Sequence, residues 1–478
     1  MTSVLTAPVK KSVVEPGGIE GIALERRHGS PWQLLTTWTA PNLEFATIFL
    51  GVLAVGVFGL PFPVAVAALL VGNALGGLTH GILSSWGPRD GVAQMVLGRT
   101  AFGTRGNAVP SALNMVMAGV GWFAVNSVSG ALALSVLTGV PAALCLVAVV
   151  VLEVGVAFVG HDLVQGFERY ASVALGVVFA AGLVFALANG DLGAGAGGQP
   201  GAVSFATVTL TISAALGYAA GWNPYASDYT RYLAPGTSRL KTGLAAGVGN
   251  FVSCTLLMTA GAAAATVAGL DLANPTGSYT APGVMPEVLG KLTLVAIAVG
   301  AVAANAINVY SGSMSFLAMG VKLPFGLRRA IVALGFGVIG FVVALLSLPD
   351  AGHAYESFLL VIAYWVAPWL GVVLTDRLLR RGTSIAPLLG DDAGHRNRAG
   401  LVAFVVATVV SVALFSGQSV YAGPLSGGLG DVTPFVGFAL AAVLMAVLSS
   451  VWPSARGPRL AAHDAEPVPV HVDAASAR

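Results

Sequence analysis

Apolar stretches about twenty residues long recur from one end of this chain to the other, each long enough to cross a hydrocarbon core about 30 Å thick. Of the 478 residues 56% are hydrophobic and only 9% charged, against about 25% charged in a soluble domain. So little charge cannot cover the surface of a soluble helical protein of this size. The runs are also too long and unbroken for a porin-like barrel, whose strands alternate apolar and polar residues. The pattern predicts an all-α integral membrane protein of about twelve transmembrane helices. They are expected at 40–60, 62–83, 108–136, 140–160, 171–190, 204–226, 242–269, 293–318, 328–348, 354–375, 400–417 and 433–452.

The loops orient these helices. With a cytoplasmic N-terminus, Lys291 alone of the 23 Lys and Arg falls on the outer side. Asp191, Asp271, Glu287, Asp350, Glu356 and Asp431 fall outside with it. This is the positive-inside bias, and one missed helix would scramble it. Both termini are therefore expected in the cytoplasm, with the protein multi-pass in the cell's inner (plasma) membrane. The first forty residues are polar and mixed in charge, without a secretory signal pattern. The tail from Pro453 has the composition of disorder. The net charge of +2 is spread over loops and points to no nucleic acid. Cys145 and Cys254 both lie in apolar segments and read as small buried hydrophobes. No Cys, His and carboxylate cluster has metal-site spacing, and no Walker loop supports ATP coupling. Neither a cofactor nor an obligate protein partner is predicted. His80 and His161 sit at helix ends and read as surface groups.

Backbone polar groups inside a membrane must be paired or line a cavity. Two segments carry the residues that break helices. The first reads Trp38-Thr39-Ala40-Pro41-Asn42-Leu43-Glu44, and the sixth reads Gly221-Trp222-Asn223-Pro224-Tyr225. Pro224 lacks a donor and clashes with the preceding turn, so a break is expected in the middle or inner half of the sixth helix. The first is expected to unwind at Pro41–Asn42 or further on, around Gly51 and Gly56. Paired broken helices mark the central site of many secondary transporters. In the third segment Trp122 and Asn126 are four apart and share a helix face, joining a stacking plate to a hydrogen-bonding amide. Trp122 lies too deep in its segment to be an interface anchor. In the eighth, Asn305 and Asn308 are three apart and face one side. Unpaired amides there cost several kcal/mol, so they either read a polar solute or pair with each other between helices. Tyr310 either caps that cavity or packs as an ordinary aromatic. Buried charge is as costly, which singles out Glu44 and Glu153; Asp228 is expected to pair with Arg231 near an inner gate.

The stretches WTAPNLEFATIFLGVLAVGVFGLPF, GVGWFAVNS, GYAAGWNPYASDYTRYL and NAINVYSG resemble the nucleobase:cation symporter-1 family, close to its purine-cytosine permeases. The similarity covers about residues 25 to 450. It implies a leucine-transporter-like fold of two inverted five-helix repeats plus two extra helices. The implied division is a cytoplasmic segment 1–37, repeats 38–190 and 204–375, helices eleven and twelve over 400–452, and a disordered cytoplasmic tail 453–478. The resemblance also implies a substrate site of Trp122, Asn126, Trp222, Asn305 and Asn308, between helices one, three, six and eight.

What such a site implies is import of a planar nitrogen heterocycle, cytosine or a purine first, together with a co-transported cation. Sodium-driven relatives use hydroxyls on helix eight, where this chain reads Val302-Ala303-Ala304 without one. Helices six and eight resemble those of the fungal purine-cytosine permeases, which are regarded as proton symporters, so the resemblance implies the proton as the cation, with Glu44 and Asp228 as the coupling or gating carboxylates. Sodium-coupled allantoin, hydantoin or uracil transport stays open, as does an amino-acid or amine transporter of the same architecture. A channel would show unsaturable flux. A membrane enzyme would need paired catalytic groups, which the sequence lacks.

Overall fold

The computed structural model describes residues 18–159, 161–267, 275–321, 328–390, 393–418 and 420–458, with the side chains of 157–172 and 328–330 outside that description. The expected tail beyond 458, Asp271, Lys322, and the side chains of His161 and Arg169 therefore lie outside the described residues. The described residues are helical almost throughout. Helix α1 (Gln33–Thr39) and α2 (Phe45–Gly56) flank a 3-10 turn at Ala40–Asn42 and meet at 60°. There follow α3 (Phe62–Ser84), α4 (Ala108–Thr138), α5 (Ala142–Val159) and α6 (His161–Asn189). Then come α7 (Phe205–Ala220), α8 (Ala226–Thr230), α9 (Arg239–Val267), α10 (Glu287–Ala318), α11 (Arg328–Ser347) and α12 (Ala351–Leu379). Helices α13 (Arg398–Phe415) and α14 (Thr433–Val451) close the chain.

Among the described residues eight helices are long and apolar enough to cross a membrane, or nine with the bent pair α1/α2 taken as one. One of the eight runs from Ile331 to Leu379 and contains the turn Leu348–Asp350 that separates α11 from α12. Ala142–Val156 and Val173–Asn189 are apolar but shorter. Three starts differ clearly from expectation, the first being α1, which begins at Gln33 and so seven residues early. Helix α6 begins ten residues early, because the polar stretch after His161 is helical rather than a loop. Helix α10 begins at Glu287, directly after Pro286, whose φ suits a helix start.

The packing repeats itself. Helices α3 and α9 pack together, as do α4 with α10 and α5 with α11. The off-diagonal contacts come in matched pairs: α3 on α7 and α9 on α2, α4 on α11 and α10 on α5, α1 on α6 and α7 on α12. Exchanging the first five rods for the next five carries each of these pairs into another of them, although α6 also packs on α9 and α10 far more closely than α12 does on α3 and α4. Helices α13 and α14 stand outside the symmetry, packed on each other and on α12.

The chain is apolar outside and partly polar inside, as a bilayer requires. Val151, Val177, Val288 and Leu346 are exposed, while Trp38, Trp122, Trp222, Tyr218, Tyr225 and Arg231 are among the largest fully buried side chains. Cys145 and Cys254 are buried and free, as expected. Small residues bring the inner helices together. Gly51 of α2 and Gly261 of α9 meet reciprocally: a Cβ at Gly51 would strike the Met258 carbonyl, and one at Gly261 the Ile48 carbonyl. Overpacking such a crossing costs about 1–3 kcal/mol or more. Gly51→Val is therefore expected to lower the thermal midpoint of the purified protein by several degrees or to prevent its accumulation. Gly155→Ala, where no atom lies within 4 Å, is expected to leave the midpoint unchanged in the same fluorescence melting assay.

Candidate functional site

The two breaks are built by different chemistry and then tied together. In the first, Pro41 ends α1 and Asn42 repairs the damage: its Nδ2 donates to the Trp38 carbonyl at 2.9 Å. Glu44 then starts α2 as its N-cap, accepting from the amides of Ala46 at 2.6 Å and Thr47 at 3.0 Å. Of the two expected places for unwinding, Pro41–Asn42 is the one found, and Gly51 and Gly56 lie within α2. In the second break, Gly221 donates to both Gly217 and Tyr218 carbonyls as α7 tightens and stops. A 3-10 turn at Asn223–Tyr225 with Pro224 leads into α8. Asn42 joins the breaks, because the Trp222 indole N–H donates to its Oδ1 at 2.8 Å. The Asn42 amide also donates to Ser253 at 3.0 Å and Asn250 at 3.3 Å on α9.

Trp122 closes a π turn, Met117–Trp122, inside α4, a widened turn of the kind often found at functional sites. Its indole lies 6.0 Å from that of Trp222, with the planes within 10° of parallel. Tyr218 and Phe358 each meet the Trp122 ring edge-on at 5.2 Å. Gly121, directly before it, leaves no room for a side chain beside the Phe358 ring. An apolar cavity of 140 Å³ borders the site between Phe45, Phe49, Gly121, Tyr355 and Phe358.

A ladder of amides runs alongside. Asn126 and Asn308 both donate to the Asn305 Oδ1, at 3.0 and 3.2 Å. Asn305 donates to the Phe123 carbonyl at 2.9 Å and to Ser127 at 3.3 Å. The Tyr225 hydroxyl donates to Asn308 at 3.3 Å, and its ring meets that of Trp222 at 5.6 Å. At the far end Ser127 donates to the Glu153 carboxylate at 2.5 Å. Oδ1 of Asn126 and Oε1 of Glu153 are buried without a hydrogen-bond partner. An unpartnered buried acceptor costs about 1–3 kcal/mol, so each is a place where a donor would be welcome.

The structure thus brings the five expected residues Trp122, Asn126, Trp222, Asn305 and Asn308 into one neighbourhood. Glu44 is connected to it: the Tyr218 hydroxyl donates to the Glu44 carboxylate at 2.9 Å while the Tyr218 ring packs on Trp122. Asp228 is not part of it. Its carboxylate accepts from the Gln94 amide at 2.8 Å, and among the described residues no hydrogen bond joins it to Arg231. The expected local pairing persists as a through-space attraction between the two charges, while the hydrogen bonds of Arg231 go to other partners. Its guanidinium reaches the Tyr310 hydroxyl at 3.2 Å and the Gly18 carbonyl at 3.1 Å. Tyr310, bonded to the Tyr232 hydroxyl at 2.8 Å, belongs to this layer and not to the indole site. The N-terminal strap is stitched over it by His28 to Tyr232, Ile22 to Gly91, and Arg27 to the Pro88 carbonyl.

His80 is a second correction. It is fully buried, not on the surface, with its ring 4.1 Å from Trp38 and edge-on to it. The end of α3 packs against the second break, where the Asn223 amide donates to Thr79 at 2.8 Å. Sequence reasoning also passed over Asn42, Tyr218, Tyr225 and Ser127. Asn42 had a signal, a side-chain amide directly after a proline within an apolar segment. The tyrosines and the serine had none.

Comparison with known proteins agrees with this geometry. Residues 22–437 match the family described as permeases for cytosine/purines, uracil, thiamine and allantoin. The chain is 29% identical over 450 residues to YxlA of Bacillus subtilis, whose name assigns it provisionally to the purine-cytosine permeases; the match covers 91% of this chain and 96% of that one. It is 28% identical to the purine-cytosine permease fcyB of Emericella nidulans, covering 90% of this chain and 87% of that one. Among solved structures it is similar to Mhp1, a nucleobase-cation-symport-1 family transporter in a closed conformation with bromovinylhydantoin bound. There the TM-score is 0.70 and the identity 19%, with 92% of this chain and 97% of that chain covered. This likeness gives the fold, an all-α transporter of two inverted repeats. With the family match spanning most of its length, the chain belongs to the nucleobase-cation-symport-1 permeases, in their purine-cytosine branch.

Proposed function

We propose that this protein imports a nucleobase, cytosine or a purine, by proton symport, with alternating access around the indole and amide site. The observation that carries the reading is the near-parallel pair Trp122 and Trp222, 6.0 Å apart, with the asparagine ladder at its edge. A flat ring between two indoles needs about 3.5 Å on each side, or roughly 7 Å in all. The pair is about 1 Å short of that, a gap that a small shift of the second break, which carries Trp222, against α4 supplies. The amides then read the ring edge. Asn126 Oδ1 offers an acceptor to an exocyclic amino group, and an unmatched edge is costly in a dry site. Relatives named for purines and cytosine at 29% and 28% identity favour that class of substrate.

The same reading takes the chain to have twelve crossings in the plasma membrane, both ends cytoplasmic. Splitting Ile331–Leu379 at Leu348 and counting Ala142–Val156, Val173–Asn189 and the bent pair supports that number. The two repeats occupy 38–190 and 204–375, extended at their ends to Gln33 and Leu379. Glu44 acts in gating: its carboxylate ties α2 to Tyr218 of α7, so relative movement of the broken helices must rearrange that bond. Asp228 holds Gln94 and with it the short inner helix Gln94–Leu97. The proton rides on Glu153. Its carboxylate is buried at 0% exposure and reaches the amide ladder through Ser127. No cation faces it among the described residues, so charge and proton must move together in this low-dielectric place.

Uptake of labelled cytosine into proteoliposomes tests the coupling. An inward proton gradient is expected to drive accumulation without sodium; accumulation driven by sodium alone would reject the proton. Glu153→Gln is expected to abolish gradient-driven accumulation while preserving exchange of labelled for unlabelled base, and equal loss of both would assign Glu153 a structural role. Stacking on an aromatic ring contributes about 1–3 kcal/mol per base. Trp122→Ala is therefore expected to weaken cytosine binding roughly 10- to 100-fold, and Trp122→Phe much less, by calorimetry on protein that elutes as the wild type does.

A further inference from the structure

A site far from the indoles has the shape and charge of a lipid pocket. At the end of α3 and the start of α9 lies a cavity of 480 Å³ lined by Arg89, Arg239, Arg377, Arg380 and Arg381. Among the described residues two carboxylates form ion pairs with them. Asp90 lies 2.5 Å from Arg377 and 3.9 Å from Arg89, and Asp376 lies 2.9 Å from Arg380. Arg377 is fixed further by the Trp86 ring at 4.9 Å, and Arg380 by the Ala455 and Thr100 carbonyls. Among the described residues the cluster therefore keeps an excess of positive charge, carried by the half-exposed Arg89 and the exposed Arg239 and Arg381. Arg239 is partly desolvated and feels the like charges of Arg377 and Arg89 as well as the opposite charge of Asp90.

A second cavity, 580 Å³ and almost wholly apolar, runs beside this one along the outer face of α3 and α9. Ile82 and Arg239 line both, so the two lie side by side. Gly77 and Gly81 face Gly247 and Gly243 so closely that a Cβ at Gly77 or Gly81 would meet the opposite carbonyl. The groove beside that crossing is walled by Leu78, Leu240, Leu244 and Val248, all exposed. A trough open to hydrocarbon that ends in surplus guanidinium charge at one membrane face is complementary to one kind of molecule.

We propose that this groove holds an anionic glycerophospholipid, one acyl chain along α3 and α9 and its phosphate among Arg89, Arg239 and Arg381. Basic pockets between helices at the cytoplasmic side bind acidic headgroups in this way. Arginine is suited to phosphate because its planar fork donates two parallel hydrogen bonds. The lipid would clamp α3, which ends against the second break, to α9 and to the end of α12. The occupant is thus placed to stiffen helices that the transport cycle must move.

The test uses the full-length protein, stripped of lipid in neutral detergent and examined by native mass spectrometry with added phosphatidylglycerol or phosphatidylcholine. One phosphatidylglycerol is expected to be retained at least tenfold over phosphatidylcholine. The double variant Arg239→Gln with Arg381→Gln, both exposed positions, is expected to erase that preference. Ala74→Phe, which fills the apolar groove, is expected to weaken phosphatidylglycerol retention without touching the arginines. Equal retention of the two lipids, or a preference unchanged in the double variant, would overturn the proposal. Displacement of phosphatidylglycerol by millimolar inorganic phosphate or glycerol phosphate would overturn it in favour of a site for free anions. A dimer that dissociates in the Ala74→Phe variant would overturn it in favour of a second copy of the chain.

Discussion

Backbone groups freed at membrane depth must find partners, and here the partners double as the site. A proline in each of two helices removes a donor and strands a carbonyl in a medium without water. Asn42 answers both interruptions at once: its amide nitrogen satisfies Trp38 within the first break, and its oxygen holds the Trp222 indole of the second. The orientation of one wall of the aromatic pair is therefore a consequence of how the first helix was repaired. Glu44 extends the same logic. It satisfies two amides at the start of α2 and, through Tyr218, fixes a ring that packs on Trp122. The Trp222 indole is held directly by a group that also serves the backbone, and the Trp122 indole indirectly, through the Tyr218 ring that Glu44 fixes.

The internal symmetry explains why the breaks meet. Two five-rod units packed with matched contacts place the first rod of each next to the second of the other. The broken rods then share the interior, and the third rods, α4 and α10, face each other beside them. That is where the asparagine ladder forms, because Asn126 projects from one and Asn305 and Asn308 from the other. Close approach depends on glycine and alanine along α3, α7 and α9: Gly72 and Gly76 lie against Ala215 and Ala219, and Gly51 against α9. Without large side chains at those crossings the polar groups come within hydrogen-bonding distance of one another.

Much of this was legible in the sequence, and the reasons are specific. Pro41, Pro224 and Gly221 announce breaks because no other residue types are so poor in a helix. Trp122, Trp222 and the asparagines announce an interior site because lipid makes them costly elsewhere. What stayed hidden depends on distance in three dimensions. Nothing in the spacing of Tyr218 and Glu44, 174 residues apart, shows that they touch. His80 looked like a surface group because its helix ends four residues later, yet that end is wedged against Trp38. Asp228 and Arg231 have the spacing of a helical pair, but α8 is a single short turn whose neighbours supply other partners, Gln94 and Tyr310. The start of α6 is not legible in the sequence because a polar stretch at a membrane boundary looks the same whether it is coiled or helical.

The two buried glutamates show how environment separates like residues. Glu44 accepts from two backbone amides, a tyrosine and a threonine at a helix N-terminus, where partial positive charge favours an anion. Every contact it makes is one a carboxylate wants, so adding a proton would displace a donor. Glu153 accepts from the Ser127 hydroxyl, has the Asn305 amide nearby, and among the described residues takes no backbone donor. A proton there would displace no backbone donor, and its departure would leave a charge buried in a low-dielectric place. A group that exchanges protons as the amide ladder rearranges needs the second kind of site, while a group that holds two helices in register needs the first. The division of labour proposed for the two residues follows from the number of donors each one already has.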